Sequence, residues 1–526
     1  MLLILFSCIL ALLIYLVLLK PNRYWDEKGV PYVKPLPFFG NMFSNIFQLR
    51  SFTDMVNDLY KVYPDKRYVG FFQFRVPTLM IRDLELIKKI AIKEFDSFPD
   101  HRAFVAKEAD PIASKNLFNL TIDDGWHDMR STLSPTFTSS KMRSMFVLME
   151  QCAEQFVKYF EKQKGPVELE LKDSFTRYAN DVIGTAAFGI TCDSLADKEN
   201  QFYMMGKELT TFTFLQNLKF FGFSISPALM ALFKVKLFNA KAISFFRSII
   251  KQTLQIREEK GIVRPDVIHL LMEAKKGRLK YENQTNVVDT GFAVVEESEL
   301  GKKQKRKKME ITDEDITAQA VVFFFAGFDT VSTLMCYVCY ELAKNPHVQE
   351  VLYKEVKENC QGKTTYEMVL GMKYLDCVIS ETLRKWPPVP FTDRNTIRPF
   401  TIEPEQPGER RVRLDSGANV WIPVYSIHRD SKYYPDPEKF DPDRFNDENK
   451  TNIAPLSYLP FGAGPRNCIG SRFALLETKL IIIKILQKFE IVPVDKTPNR
   501  IVLSKSNFNP LPDGGIWLGF KPRSSS

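Results

Sequence analysis

Histidine is scarce, five in 526 residues, and no second cysteine or histidine lies near Cys468. Zinc wants four protein or water ligands, so that lone sulfur argues against a zinc site. No glycine-rich flavin or dinucleotide fingerprint is present, so any electrons the protein uses must come from outside. No internal repeat is present, which points to one large body rather than an array. The formal net charge of +9 is modest for the length. It suits anionic lipid or an acidic protein partner and does not demand nucleic acid. At 45% hydrophobic and 26% charged residues, wholesale disorder is excluded. The eight cysteines are scattered, which indicates a reducing compartment. Cys336 and Cys339 have metal-like spacing, but they sit in an apolar helical run with no second pair and read as buried free thiols.

The one long apolar run is at the start. Met1 to Leu19 is almost wholly apolar, about the length of a membrane-crossing helix. A cleaved signal peptide would want a basic start and a small-residue cleavage site. The basic residues instead follow the run, at Lys20 and Arg23, which places the body in the cytosol. The expectation is a transmembrane anchor over 1–20, a proline-rich linker over 21–40 with Pro31, Pro35 and Pro37, and a single domain over 41–526.

Within that body, Tyr68 to Phe74 and Thr78 to Ile81 read as short strands flanking Pro77. From about 120 to 390 the pattern is mainly helical. A small sheet is expected between Pro399 and Pro423, with strand-like pieces near Ile501 to Leu503 and Ile516 to Leu518. The fold class is therefore mostly α with a minor β part. Phe212 to Phe223 holds five phenylalanines; it is either packed core or a surface that dips into a membrane. The basic run Lys302 to Lys308 lacks interleaved aromatics and reads as a solvated loop.

Chemistry concentrates in Phe461-Gly462-Ala463-Gly464-Pro465-Arg466-Asn467-Cys468-Ile469-Gly470, a loop feeding an apolar helix from Ser471 to Phe489. A thiolate needs positive surroundings and backbone donors, and a loop entering a helix supplies both. One thiolate with Arg466 beside it is what a haem iron and its two propionates need. A second helix opens at Thr312-Asp313-Glu314-Asp315 with a capping-box-like start and runs to about Lys344. Mid-helix Gly327, and Asp329 and Thr330 in an apolar run, make either an oxygen-binding groove with a proton path or a packing site at a small residue. Thr330 can bond the Ala326 carbonyl one turn back. Glu381 and Arg384, three apart, share the face of a helix from Tyr374 to Trp386. Trp126 and Arg130 share another short helix.

Together these residues resemble the cytochrome P450 haem-thiolate monooxygenases, from about residue 30 to 520. Phe461, Gly464, Arg466, Cys468 and Gly470 fill that family's haem-loop pattern. Ala326-Gly327-Phe328-Asp329-Thr330 matches its oxygen-groove motif. Pro388-Val389-Pro390-Phe391-Thr392 and Tyr458-Leu459-Pro460-Phe461-Gly462 look most like the insect microsomal, xenobiotic-metabolising branch. Departures are an irregular proline hinge and Val331 where a hydroxyl residue is common.

The resemblance implies a cytochrome P450 fold behind one N-terminal transmembrane helix, with haem b as cofactor. It implies Cys468 as axial iron ligand, Phe461 as its shield and Gly470 as a donor beside it. Trp126, Arg130, Arg394 and Arg466 would bind the propionates. Asp329 and Thr330 would relay protons, and Glu381, Arg384 and Arg444 would hold the framework. Leu120, Phe325, Ala326, Val389, Thr392 and Phe508 would contact substrate. NADPH would act through NADPH–cytochrome P450 reductase, with cytochrome b5 as a second donor, at the endoplasmic reticulum membrane. Partners would be O2, a lipophilic small molecule and membrane lipid, with no nucleic acid. The alternatives are a haem-thiolate isomerase or dehydratase, and a membrane-tethered interaction protein without enzymatic activity.

Overall fold

The computed structural model describes Phe6 and residues 23–526, apart from 104, 106, 108–109, 164, 212–213, 265, 277–291, 295–310, 361, 507–509 and 524–526. The expected anchor (Phe6 aside), the Lys302–Lys308 run and Phe508 lie outside the described residues.

Among the described residues, nine strands make three small sheets. They are β1 (Tyr68–Gln73), β2 (Val76–Ile81), β3 (Val167–Glu170), β4 (Thr392–Asn395), β5 (Phe400–Ile402), β6 (Val412–Leu414), β7 (Asn419–Ile422), β8 (Phe489–Pro493) and β9 (Trp517–Pro522). The largest sheet runs β1-β2-β7-β4. Its β2–β7 pair is parallel, with Thr78 opposite Asn419, and its other pairs are antiparallel. Pro77 lies inside β2, opposite Phe72, and not between two strands as the sequence suggested. It is tolerated because pairing with β7 begins only at Thr78, so the missing N–H removes no bond on that side. The expected strand at Ile501–Leu503 reduces to one bridge, Leu503 to Pro512.

The helices that position the site are α1 (Trp126–Leu133), α2 (Ser139–Glu161), α3 (Leu171–Ile183), α4 (Phe214–Ile225), α5 (Pro227–Leu232), α6 (Ala240–Lys260), α7 (Asp313–Lys344), α8 (Lys373–Lys385) and α9 (Ser471–Lys488). The main core lies between them, and a second core around Trp25, Phe71, Phe72 and Trp421 backs the large sheet.

Helix α7 is the axis. Thr312 Oγ1 accepts from the Asp315 N–H while the Asp315 carboxylate accepts from the Thr312 N–H, a closed capping box. Three acids in its first turn and Lys344 in its last complement the helix dipole. From Val331 to Ala343 it is buried all round, as a helix at the centre of a large body must be. It is the one described helix long and apolar enough to cross a membrane, and it is mostly buried in the fold. Cys336 and Cys339 are free and fully buried on it, as expected. Helices α4 and α5 are partly packed and partly exposed. Phe223 is buried, while Leu215, Leu218, Leu229, Leu232 and Phe233 are exposed, the last two at 74% and 70%.

Candidate active site

The cysteine loop is fixed by its own backbone. The Cys468 N–H donates to Phe461 O at 2.9 Å, and the Asn467 N–H donates to Gly464 O at 3.0 Å. Gly464 has φ +72, and a Cβ there would fall 1.9 Å from the Ala91 carbonyl oxygen. Only glycine fits, because the obstacle is backbone and cannot give way. Gly470 then leads directly into α9 as its N-cap residue.

Cys468 is exposed, yet burial pushes its thiol up, against a hydrogen bond from the Gly470 N–H and the Arg130 charge. A sulfur that is both accessible and desolvated faces a hollow inside the molecule. Ala326 is likewise exposed in the middle of the largely buried α7. Phe137 ties the two sides together. Its ring is edge-on to Phe323 of α7 at 5.7 Å and lies 3.9 Å from where a Gly470 Cβ would sit. The exposed Cys468 and Ala326 thus flank a space between α7 and the cysteine loop, and Thr330 on α7 donates to Ala326 O at 2.6 Å.

Gly327 does not open this hollow. Its missing side chain faces α3, where a Cβ would lie 2.8 Å from Ile183 Cδ1. It is a packing site, the plainer of the two readings of the sequence. Asp329 is ion-paired to Lys172 at 2.7 Å, a partner that sequence reasoning missed.

Three arginines crowd the cysteine. Arg130 donates to the carbonyl and side-chain oxygens of Asn467 at 2.8 and 2.6 Å. Arg466 donates to Pro99 O at 2.6 Å, Leu120 O at 2.8 Å and Asp100 Oδ1 at 3.1 Å, and stacks over the Trp126 ring at 4.1 Å. It therefore clamps residues 99–120 onto the loop. Arg394, on β4 and fully buried, donates to Ala463 O at 2.8 Å, and its Nε has no partner. Burial pulls Arg394 down to about 10, with the Asp393 charge opposing. Asp393 is itself engaged by the His101 ring at 2.8 Å and the Arg102 N–H. Arg466 thus pairs with the buried Asp100 and Arg394 lies beside the buried Asp393, while Arg130 holds the residue next to the sulfur. The cluster of guanidiniums and the Arg394 Nε, which has no partner among the described residues, fit a group with two carboxylates and a metal that binds thiolate, which describes haem.

The framework residues are brought together. Glu381 and Arg384 are fully buried and bidentate, at 2.6 and 2.8 Å. Arg384 also donates to His428 O and Pro437 O, each at 2.8 Å, and the Asp441 N–H donates to Glu381 at 2.9 Å. Arg444 Nε stands 3.6 Å from Glu381.

The substrate candidates have different neighbours. Leu120 is buried and held by Arg466, and Thr392 accepts from Arg394 at 3.3 Å. The Phe325 ring turns toward Phe238, 6.3 Å away, and Val389 is exposed. Sequence reasoning also missed Phe137 and His101. Neither has a motif, and each is recruited by a partner far away in the chain.

A family model described as Cytochrome P450 matches residues 30–513. The chain belongs to the cytochrome P450 family. It is 44% identical to cytochrome P450 9e2 of Blattella germanica, over 98% of this chain and 97% of the relative. It is 42% identical to probable cytochrome P450 9f2 of Drosophila melanogaster, over 96% of each. It is 36% identical to cytochrome P450 6k1 of Blattella germanica, over 97% of this chain and 96% of the relative. The insect resemblance read from the proline hinge and the cysteine loop is thereby borne out. The protein is a P450 monooxygenase, and its cofactor is haem.

Proposed function

We propose that this monooxygenase acts on lipophilic foreign compounds at the endoplasmic reticulum, with electrons from NADPH delivered by NADPH–cytochrome P450 reductase. The balance is RH + O2 + NADPH + H+ giving ROH, water and NADP+. The observation that carries the reading is the hollow with Cys468 on one side and Ala326 and Thr330 on the other, with Arg130, Arg394 and Arg466 beside the cysteine loop. Haem, when bound there, supplies the binding and reductive cleavage of O2.

The protein's own residues do the rest. Cys468 would hold the iron, with the Gly470 N–H tuning the sulfur. Arg394 and Arg130 would hold the propionates, with Arg466 and Trp126 closing the adjacent wall. Asp329 and Thr330 would carry protons to the oxygen side. Glu381, Arg384 and Arg444 keep the loop's backing rigid. Phe323 and Phe137 give the hollow aromatic walls, which suits an apolar substrate.

The same proposal covers location and organisation. The exposed apolar residues of α4 and α5 would rest in lipid beside an anchor at 1–20, and 41–526 would form one catalytic domain. Cytochrome b5 would serve as a second donor.

The test is turnover of a panel of lipophilic compounds by membrane-reconstituted protein with reductase and NADPH. Hydroxylated product that needs both NADPH and O2 is expected. Product from an organic hydroperoxide alone, with none from NADPH, would replace this reading with the isomerase one.

A further inference from the structure

Phe292-Ala293-Val294 is an apolar triplet between the helix Val267–Lys275 and α7, and it docks on elements that come later in the chain. The Phe292 N–H donates to Asp376 Oδ2 at 2.8 Å, 84 residues further on. Its ring lies 5.3 Å from the Phe445 ring and 5.5 Å from the Tyr458 ring, and those two rings are 4.9 Å apart. Ala293 is 2% exposed in the main core, and Val294 packs against that core. The triplet is thus seated by a bond to a carboxylate, a ring among rings and a buried methyl group.

Both elements that Phe292 grips lead to Cys468. Tyr458 opens the stem Tyr458-Leu459-Pro460-Phe461, by which the chain enters the cysteine loop. Its hydroxyl donates to Ser380 O at 3.0 Å and its ring stacks on His428 at 5.4 Å. His428 in turn accepts the Leu459 N–H at 2.7 Å. The hydroxyl bond fixes only the tip of the tyrosine; the rings beside it stop the rest from swinging. Phe292 is 36% exposed and Phe445 3%, so Phe292 covers the cluster. Asp376 leads to the other end of the loop. Its second oxygen stands 3.0 Å from Lys479 Nζ, and Lys479 is fully buried on α9, by which the chain leaves the loop. One carboxylate thus holds the Phe292 N–H and the α9 ammonium together.

We propose that Phe292 is a positioning residue for the cysteine loop. Seated against Tyr458 and Asp376, it holds the entering stem and α9 in the arrangement that keeps Cys468 on the haem iron. The proposal rests on the reading of Cys468 as the iron ligand.

The test uses the haem-loaded full chain and needs no substrate. Phe292→Ala removes the ring and leaves the backbone bond to Asp376. Amide hydrogen exchange over 458–468, which holds the Gly462, Asn467 and Cys468 N–H bonds, should then quicken. The expected factor is about two- to tenfold, as the loss of one or two aromatic pairs allows. Amides of α7 from Val331 to Ala343 should keep the parent rate. Loss of the thiolate signature from the reduced carbon monoxide spectrum should quicken along with the loop. Phe292→Tyr keeps a ring in the seat and should behave as the parent. Phe292→Leu keeps apolar volume without the ring and should fall between, which serves if the alanine variant fails to load haem. Val263→Ala, at a residue 79% exposed, is the surface control and should change neither readout. If 458–468 exchanges at the parent rate in both Phe292→Ala and Phe292→Leu, the positioning role is wrong. If α7 quickens by the same factor, Phe292 is an ordinary core contact and the proposal fails. A thiolate signature that survives Cys468→Ser would instead overturn the ligand reading, and exchange over 458–468 would still judge the seat.

Discussion

Replacing Gly327 by alanine puts a methyl group 2.8 Å from Cδ1 and 3.2 Å from Cγ1 of Ile183. Two effects oppose. Alanine in a helix interior gains about 1 kcal/mol over glycine. Overpacking a filled core costs about 1–3 kcal/mol. Ile183 is buried on α3 and can give way only by changing rotamer, so the clash should win and the net loss should be about 1 kcal/mol. Ile183→Val removes the nearer atom and alone costs about 0.5–1.5 kcal/mol. Together the changes complement each other, so the double variant should be no less stable than either single one. That is a favourable coupling of about 1–2 kcal/mol. Denaturant midpoints at matched haem content measure it. Because the new methyl faces α3 and not the hollow, the double variant should also keep product formation coupled to NADPH. A stable Gly327→Ala protein that loses coupling, unrescued by Ile183→Val, would refute the argument and restore Gly327 to the oxygen side.

Three further outcomes are expected. Glu381→Gln leaves Arg384 buried without its counter-charge and should cost about 3–5 kcal/mol, seen as lost haem-loaded yield and a lowered midpoint; an unchanged midpoint would count against the network. His428 is buried, donating from Nδ1 to Arg384 O and accepting the Leu459 N–H at Nε2, and burial pulls it from 6.5 down to about 3. Its stabilisation is complete above pH 6.5. It fades by about 1.4 kcal/mol per pH unit as the unfolded ring alone takes up protons, until the folded ring protonates near pH 3. His428→Gln should flatten that slope in acid denaturation, and an unaltered slope would sink the assignment. Cys468→Ser should abolish the thiolate signature of the reduced carbon monoxide spectrum, and an unmoved Soret band would show another ligand.

The parts of this molecule legible in its sequence were those whose signal is local. The Thr312 capping box, the glycines around Cys468 and the three-residue spacing of Glu381 and Arg384 each state their geometry within a few positions. What was not legible depends on partners brought from elsewhere. Lys172 looks like any surface lysine until α3 lies against α7. Gly327 looked like part of a ligand groove because a glycine in a helix announces a close approach without saying by what. Pro77 was read as a break, since nothing in its neighbourhood reveals that its strand is paired on one side only at that point.

The Arg466 clamp also sets an order of events during synthesis. Its partners at Pro99 and Leu120 lie 367 and 346 residues earlier. At about 5–20 residues per second, the segment 99–120 waits on the order of half a minute for the arginine that pins it. Until then one wall of the hollow has no anchor, so a nascent chain cannot enclose its cofactor. A chain stopped short of residue 466 is therefore predicted to leave the ribosome with its helices largely made and no place to keep haem.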